Sequence, residues 1–235
     1  MRDKIKAIVL TIEDYRENDL MLQCLSKDKG YLTIICKSAK KISSSSHFYP
    51  GNIYEFIVDL KDNKTIYLAL GNKLINNFYQ IDNLKLLAFK NIIFELCLKA
   101  KELDYAEAYD NLSIIQSNIN EENMYLLGSL FIAYNLKLYG LSPQVDGCVS
   151  CGNRKVVSIS SPLGGFVCEN HLSSNKRLDA DVLKKFRLIN KANFHNYDLI
   201  KDVEYKKEDF KLIMDFFIYN SESKIKTYDF YCRMF

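Results

Sequence analysis

The sequence predicts an α+β protein, with a strand-built N-terminal part followed by a helical one, and three observations carry that prediction. Short β-rich runs bounded by turn residues fill about the first 70 residues. After Asp82 the apolar period lengthens from two to roughly three and a half. The helical part is then interrupted by two compact pairs of soft-ligand residues, Cys148-Val149-Ser150-Cys151 and, after a gap of sixteen residues, Cys168-Glu169-Asn170-His171.

Five strands are predicted: Lys6–Ile12, Leu20–Ser26, Tyr31–Cys36, Ile53–Leu60 and Thr65–Leu70. Lys27-Asp28-Lys29-Gly30 is a hairpin turn signal between the second and third, and Lys61-Asp62-Asn63-Lys64 one between the fourth and fifth. A polar, serine-rich loop from Ser38 to His47 separates the two groups. Five strands in this length suit a small closed barrel, for which the oligonucleotide-binding (OB) fold is the common solution. In the helical part, Leu84, Leu87, Ala88, Ile92, Leu96 and their neighbours trace one amphipathic face. A second helix is expected over Tyr105–Ile119, and a third from an Asn120 cap through Leu138 to a Gly140 stop. Asp179–Ala192 and Lys207–Tyr219 follow, before a basic and aromatic segment from Lys224 to Phe230. The expected domains are therefore residues 1–80 and 81–235, with an insertion at about 145–175 in the second.

The paired spacing lets Cys148, Cys151, Cys168 and His171 close around one zinc ion, because each pair reaches a single metal through a tight knuckle. Four protein ligands fill a tetrahedral shell and leave no open position, so the expected ion is structural rather than catalytic. Cys24, Cys36 and Cys97 lie in apolar surroundings and read as buried small hydrophobes. With Cys232 the total is seven, and nothing resembles a disulfide framework.

Apolar residues make up 48% of the 235 positions, enough for a sizeable core. No apolar run approaches a bilayer span, and the N-terminus lacks the apolar stretch of a secretory signal, so a cytoplasmic location is expected. Residues 1–80 hold 12 Lys and Arg against 9 Asp and Glu, whereas residues 81–235 hold 20 of each, so the net charge of +3 resides in the N-terminal part. A polyanion is to be sought there first. Lys37, Lys40 and Lys41 crowd one loop as point charges suited to phosphates, and Lys6, Arg16, Lys27 and Lys29 can extend the track. Tyr31 and Tyr54 are available for base stacking on a barrel face, although taken singly each is expected to pack or simply sit at the surface. Two further basic groups offer other paths, one at Lys184, Lys185 and Arg187, the other at Lys224 and Lys226. There is no phosphate-binding glycine loop of the Walker type, and His47 and His195 lie in no nucleophile or metal pattern. A zinc deaminase would need an HxE element before the CxxC, which is missing. No enzyme is expected, and no small-molecule substrate.

The plan of barrel, helices and late zinc knuckle resembles the bacterial DNA repair and recombination protein RecO family along nearly the whole chain. The resemblance is carried by Ala7-Ile8-Val9-Leu10 with Tyr15-Arg16-Glu17-Asn18-Asp19 and Ser26-Lys27-Asp28-Lys29-Gly30, by the basic loop Lys37-Ser38-Ala39-Lys40-Lys41, by Leu138-Tyr139-Gly140-Leu141-Ser142-Pro143 and Leu163-Gly164-Gly165-Phe166-Val167-Cys168 around the cluster, and by Lys226-Thr227-Tyr228-Asp229-Phe230. Two positions depart from it: Ser38 stands where the family usually has glycine, and His171 where many relatives have cysteine. The resemblance implies a recombination mediator at the nucleoid that binds single-stranded DNA, with double-stranded DNA also expected. It would anneal complementary strands and load RecA, with RecR, on DNA coated by single-strand binding protein, whose C-terminal tail is an expected partner. A zinc-stabilised protein-interaction scaffold that does not touch DNA is the alternative.

Overall fold

The computed structural model describes residues 2–41, 47–59, 65–78, 83–100 and 105–235. The chain divides into two compact units, one of residues 1–118 with 227–235 and one of residues 119–226. The sequence boundary at residue 80 marks where strand gives way to helix. Packing draws the division elsewhere: the first two helices and the last one belong with the barrel.

In the first unit, β1 (Arg2–Tyr15), β2 (Asp19–Ser26), β3 (Gly30–Cys36), β4 (Ile53–Asp59) and β5 (Ile66–Asn76) form a closed barrel in the order β1-β2-β3-β5-β4, the OB fold. Strand β1 is longer than its apolar run suggests because it pairs twice, with β4 along Arg2–Ile8 and with β2 along Ile8–Tyr15. Alternating residues Ile5, Ala7 and Val9 join Leu22, Cys24, Leu32, Ile34, Phe56 and Val58 in the barrel core. Ile8 and Leu10 between them are also buried, because helix α1 (Leu84–Lys99) packs on β1 from outside. A strand covered on both faces reads as a continuous apolar run rather than an alternating one. Strand β5 runs to Asn76, six residues past the predicted end at Leu70, as its exposed end Asn72–Asn76 pairs with β4. The expected turn 61–64 and residues 42–46 of the serine-rich loop lie outside the described residues.

Helix α1 starts at an Asn83 cap whose side chain accepts from the Leu86 amide at 2.9 Å, and α2 covers Tyr105–Asn118. The basic and aromatic C-terminal segment is a short helix, α6 (Lys226–Met234). It is held to α1 by Glu95, which accepts from the Thr227 amide at 2.8 Å and its hydroxyl at 2.7 Å, and by an edge-on contact of Phe89 with Tyr231, centroids 5.5 Å apart. Glu95 thus stabilises the positive end of a nine-residue helix that would be marginal alone.

In the second unit, α3 (Met124–Leu138) is apolar nearly all round and packs against α4 (Ala180–Lys191) and α5 (Lys207–Ser221). Its expected Asn120 cap is one half of a reciprocal turn. Asn120 accepts from the Glu122 and Asn123 amides at 2.9 and 3.1 Å, Asn123 accepts from the Asn120 amide at 2.9 Å, and the helix proper begins one turn later. Among the described residues no helix is long and apolar enough to cross a membrane.

Two buried or strained positions yield predictions. Ser38 adopts φ 56°, the left-handed conformation in which glycine carries no Cβ penalty. Ser38→Gly is expected to raise stability by about 1 kcal/mol, read from chemical denaturation. Lys90 is 3% exposed, and its ammonium donates to the Phe78 carbonyl at 3.0 Å; burial pulls its pKa down to about 8. Because the unfolded chain holds this proton more tightly, stability is expected to rise as pH climbs from about 8 to about 10.5. Measured against Lys90→Met, the rise should be on the order of 1–2 kcal/mol once partial access of water is allowed for, and the difference should be flat below pH 7.

Candidate functional site

The insertion between α3 and α4 is a hairpin of β6 (Val156–Ser160) and β7 (Gly165–Cys168) set between the two ligand pairs. The first knuckle is wound by backbone bonds: the Gly152 amide donates to the Cys148 carbonyl at 2.8 Å and the Cys148 amide to the Asn153 carbonyl at 2.9 Å. Gly152 at φ 72° lets the chain turn back there. The second knuckle is a single 3₁₀ turn, Glu169–His171, that leads straight from β7. Gly165 bridges to Gln144 so closely that a Cβ would collide with the Gln144 backbone, which ties the hairpin to the segment entering the first knuckle.

These turns bring the Cys148, Cys151 and Cys168 thiols and a His171 ring nitrogen within 4.8 Å of one another. Cys148 Sγ and Cys168 Sγ lie 3.6 and 3.4 Å from His171 Nδ1, and Cys151 Sγ lies 3.7 Å from Cys168 Sγ. A tetrahedral ion with sulfur at about 2.3 Å and nitrogen at about 2.0–2.1 Å has edges of about 3.8 Å between sulfurs and about 3.6 Å from sulfur to nitrogen. The residues therefore fit a tetrahedral metal. Electrostatics agree: burial opposes ionisation of Cys148, yet the amides of Cys168, Ser150 and Cys151 outweigh it and bring this thiol down to about 6. The Asn153 amide favours ionisation of Cys151, but desolvation and the neighbouring Cys168 and Cys148 sulfurs outweigh it and hold this thiol up. A bound cation removes that conflict.

Helix α4 anchors the insertion. Phe166 packs on Phe186 with centroids 5.9 Å apart, the Arg187 guanidinium lies 5.2 Å over the Phe166 ring and donates through Nε to the Val145 carbonyl at 2.7 Å, and Lys191 pairs with Asp146 at 2.8 Å. These anchors were missed in the sequence, where Arg187 read only as positive charge. Lys185 is engaged likewise, between Asp181 at 3.3 Å and Asp209 at 3.1 Å.

The seven basic candidates fall at two ends of the barrel. Arg16 in the β1–β2 turn and Lys37, Lys40 and Lys41 after β3 meet at one end, where the Lys40 amide donates to the Asn18 carbonyl at 3.0 Å and the Ser38 amide to the Asp19 carboxylate at 2.8 Å. Lys27 and Lys29 occupy the opposite end of the β2–β3 hairpin, with Lys6 nearer to them along β1. Six residues of strand, about 20 Å, separate the two groups. The charges differ in availability. Lys27 binds Asp110 at 2.8 Å, Lys40 binds Asp14 at 2.9 Å and Lys29 lies 3.8 Å from Asp3; Lys6, Arg16, Lys37 and Lys41 are exposed and have no carboxylate partner among the described residues. A row missed in the sequence completes the Lys6 side: Arg2, Lys4 and Lys6 alternate on the exposed face of β1, and Lys73 lies across Glu55 on β5. The i, i+2 spacing of those residues was the available signal.

Of the two readings open for Tyr54, the structure shows packing. The residue is 2% exposed, its hydroxyl donates to the His47 carbonyl at 3.0 Å, and its ring packs on Phe48 and Phe56, so it is a core residue and no stacking platform. Tyr31 remains half-buried on β3. Cys24, Cys36 and Cys97 are buried as expected, and burial pushes the Cys36 and Cys97 thiols up to about 12.

Comparison with known proteins bears on the whole chain. Residues 1–78 match the family model described as Recombination protein O N terminal. The chain is 30% identical to the DNA repair protein RecO of Thermoanaerobacter sp., over 97% of this chain and 96% of that protein. It is 27% identical to the DNA repair protein RecO of Caldanaerobacter subterraneus, over 98% of both chains, and 25% identical to that of Clostridium novyi, over 94% of this chain and 90% of that protein. Similarity of this extent, on a barrel and a metal-ligand cluster arranged as described, shows that the chain belongs to the RecO family of DNA repair proteins.

Proposed function

We propose that this protein is a recombination mediator in DNA repair. It binds single-stranded DNA through the barrel of residues 1–80, anneals complementary strands and, with RecR, loads RecA on DNA coated by single-strand binding protein, whose C-terminal tail it engages. It acts in the cytoplasm at the nucleoid, as a mediator rather than an enzyme. One observation carries the reading above the others: similarity to proteins named DNA repair protein RecO runs along nearly the full chain. The gathering of Arg16, Lys37, Lys40 and Lys41 at one barrel end supports it, since point charges on adjoining loops suit a phosphate backbone. The metal is one structural zinc, held by Cys148, Cys151, Cys168 and His171; three thiolates and an imidazole in a closed tetrahedron are the donor set zinc prefers.

The DNA reading is tested by fluorescence anisotropy with a labelled single strand over a salt series. Lys37→Ala and Lys41→Ala should each flatten the salt slope by about 0.7, and Lys40→Ala by less because Asp14 competes for that ammonium. The triple variant should lose up to about two units, bind all sequences more weakly and anneal more slowly, with unchanged thermal stability. An unchanged slope would move the DNA path to the Arg2, Lys4, Lys6 and Lys73 face, and no binding by the unaltered protein would leave the scaffold reading standing.

For the metal, elemental analysis should find one zinc per chain. Cys168→Ser should release it and speed hydrogen exchange across residues 145–175 while exchange in the barrel stays slow. Well under one equivalent in the unaltered protein would overturn the assignment.

A further inference from the structure

The β3–β5 seam of the barrel is short. Parallel pairing joins only Thr33–Ile35 to Ile66–Leu68, and the Thr33 amide donates to the Thr65 carbonyl at 2.7 Å where the seam begins. Tyr31 and Leu32 run past the start of β5 without a ladder partner on that strand. Beside them a cavity of about 300 Å³ opens, lined by Gln23, Tyr31, Leu32, Thr33, Thr65 and Leu98. That volume is at the lower end of the range for small-ligand sites.

The lining selects a ligand class. Among the described residues no charged side chain borders the cavity, so the described lining offers neither a phosphate nor a metal ion a counter-charge. Tyr31 supplies an aromatic wall, and Leu32 and Leu98 supply aliphatic ones. Gln23 and Thr33 face each other in the β2–β3 register, and the Thr33 hydroxyl donates to Gln23 Oε1 at 3.1 Å. That bond holds the amide in one orientation and leaves the Nε2 protons and a second Oε1 lone pair for a ligand. A neutral, flat molecule with donors and acceptors on its edge and an apolar face matches this set.

We propose that the cavity receives one nucleobase of the bound single strand, turned out of its stack, with Gln23 reading the base edge and Tyr31 contacting its face. The inference rests on the DNA-binding reading above and adds where a base goes. Its position suits the phosphate path: Lys37 lies four residues beyond Thr33, about 13 Å along the strand direction, so a strand with phosphates at Lys37 and Lys41 can drop a base into the seam. Aromatic contact and edge hydrogen bonds are how proteins hold unstacked bases.

The test compares a short labelled DNA strand with a strand of equal length built only of abasic sugar-phosphate units. Gln23→Ala is expected to weaken binding of the intact strand about fivefold, leave the abasic strand unaffected and leave the salt slope unchanged. Replacement of Lys37 and Lys41 should weaken both strands. As a measurement that needs no variant, ultraviolet crosslinking of a 5-iodouracil strand to the unaltered protein should label Tyr31. Equal affinity of Gln23→Ala for the intact strand, equal loss on both strands, or crosslinks confined to other residues would overturn the base site while leaving DNA binding in place. Failure of the unaltered protein to bind either strand would instead defeat the DNA-binding reading, and this proposal with it.

Discussion

Strand β1 serves two partners at once, and the barrel depends on it. Its first half pairs with β4 and its second with β2, with an irregularity between Val9 and Thr11 where the register shifts. A bulge bends a strand and strengthens its twist, which lets one strand turn the corner of a small closed barrel. Closure leaves β1 covered by the barrel core on one face and by α1 on the other along Ala7–Leu10. The same strand sets the distribution of charge: Arg2, Lys4 and Lys6 belong to its β4-paired half, and Arg16 follows its β2-paired end.

Local sequence crowding is a poor guide to which of these charges can meet a phosphate. Lys37, Lys40 and Lys41 are neighbours in sequence and in space, yet Lys40 spends its ammonium on Asp14 of the adjoining strand. Lys27 and Lys29 flank one turn, and both have carboxylates nearby from elsewhere in the first unit. Exposed pairs of this kind contribute little to stability. In the proposed DNA contact their weight would be larger, because a phosphate would have to compete with a carboxylate already in place.

The insertion in the second unit follows a different logic. Its own apolar cluster is small, Cys148, Val167 and Cys168 with Val149 and Val156 against them, too little to hold a hairpin and two knuckles by burial alone. Two attachments supply the rest: the four-ligand cluster at one end, and α4 with its Phe186, Arg187 and Lys191 contacts at the other. A metal held by that cluster would contribute its binding energy to the folding of this segment. His171 adds a neutral nitrogen donor to the three thiols at a spacing that suits a tetrahedral ion.

Much of this was legible in the sequence. The five barrel strands, the first helix, the bounds of α4 and the four residues of the candidate metal cluster followed from period, caps and ligand spacing, because each of those signals is local; the β6–β7 hairpin did not. The exposed end of β5 was not legible, since Asn72–Asn76 extend only because β4 lies beside them. Nor was α6, whose nine residues need Glu95 from α1 to hold their start. The sequence left Tyr54 open between packing and stacking for the same reason: alternation places a tyrosine on one face of a strand without saying which face is inside, and closure of the barrel turned it inward onto Phe48 and Phe56. By itself the sequence determined the elements and the ligand set, which depend on neighbours in the chain. Tertiary structure decided which lysines keep a free charge, which tyrosine reaches the surface and where the barrel seam opens, because those depend on pairings between segments that no local pattern encodes.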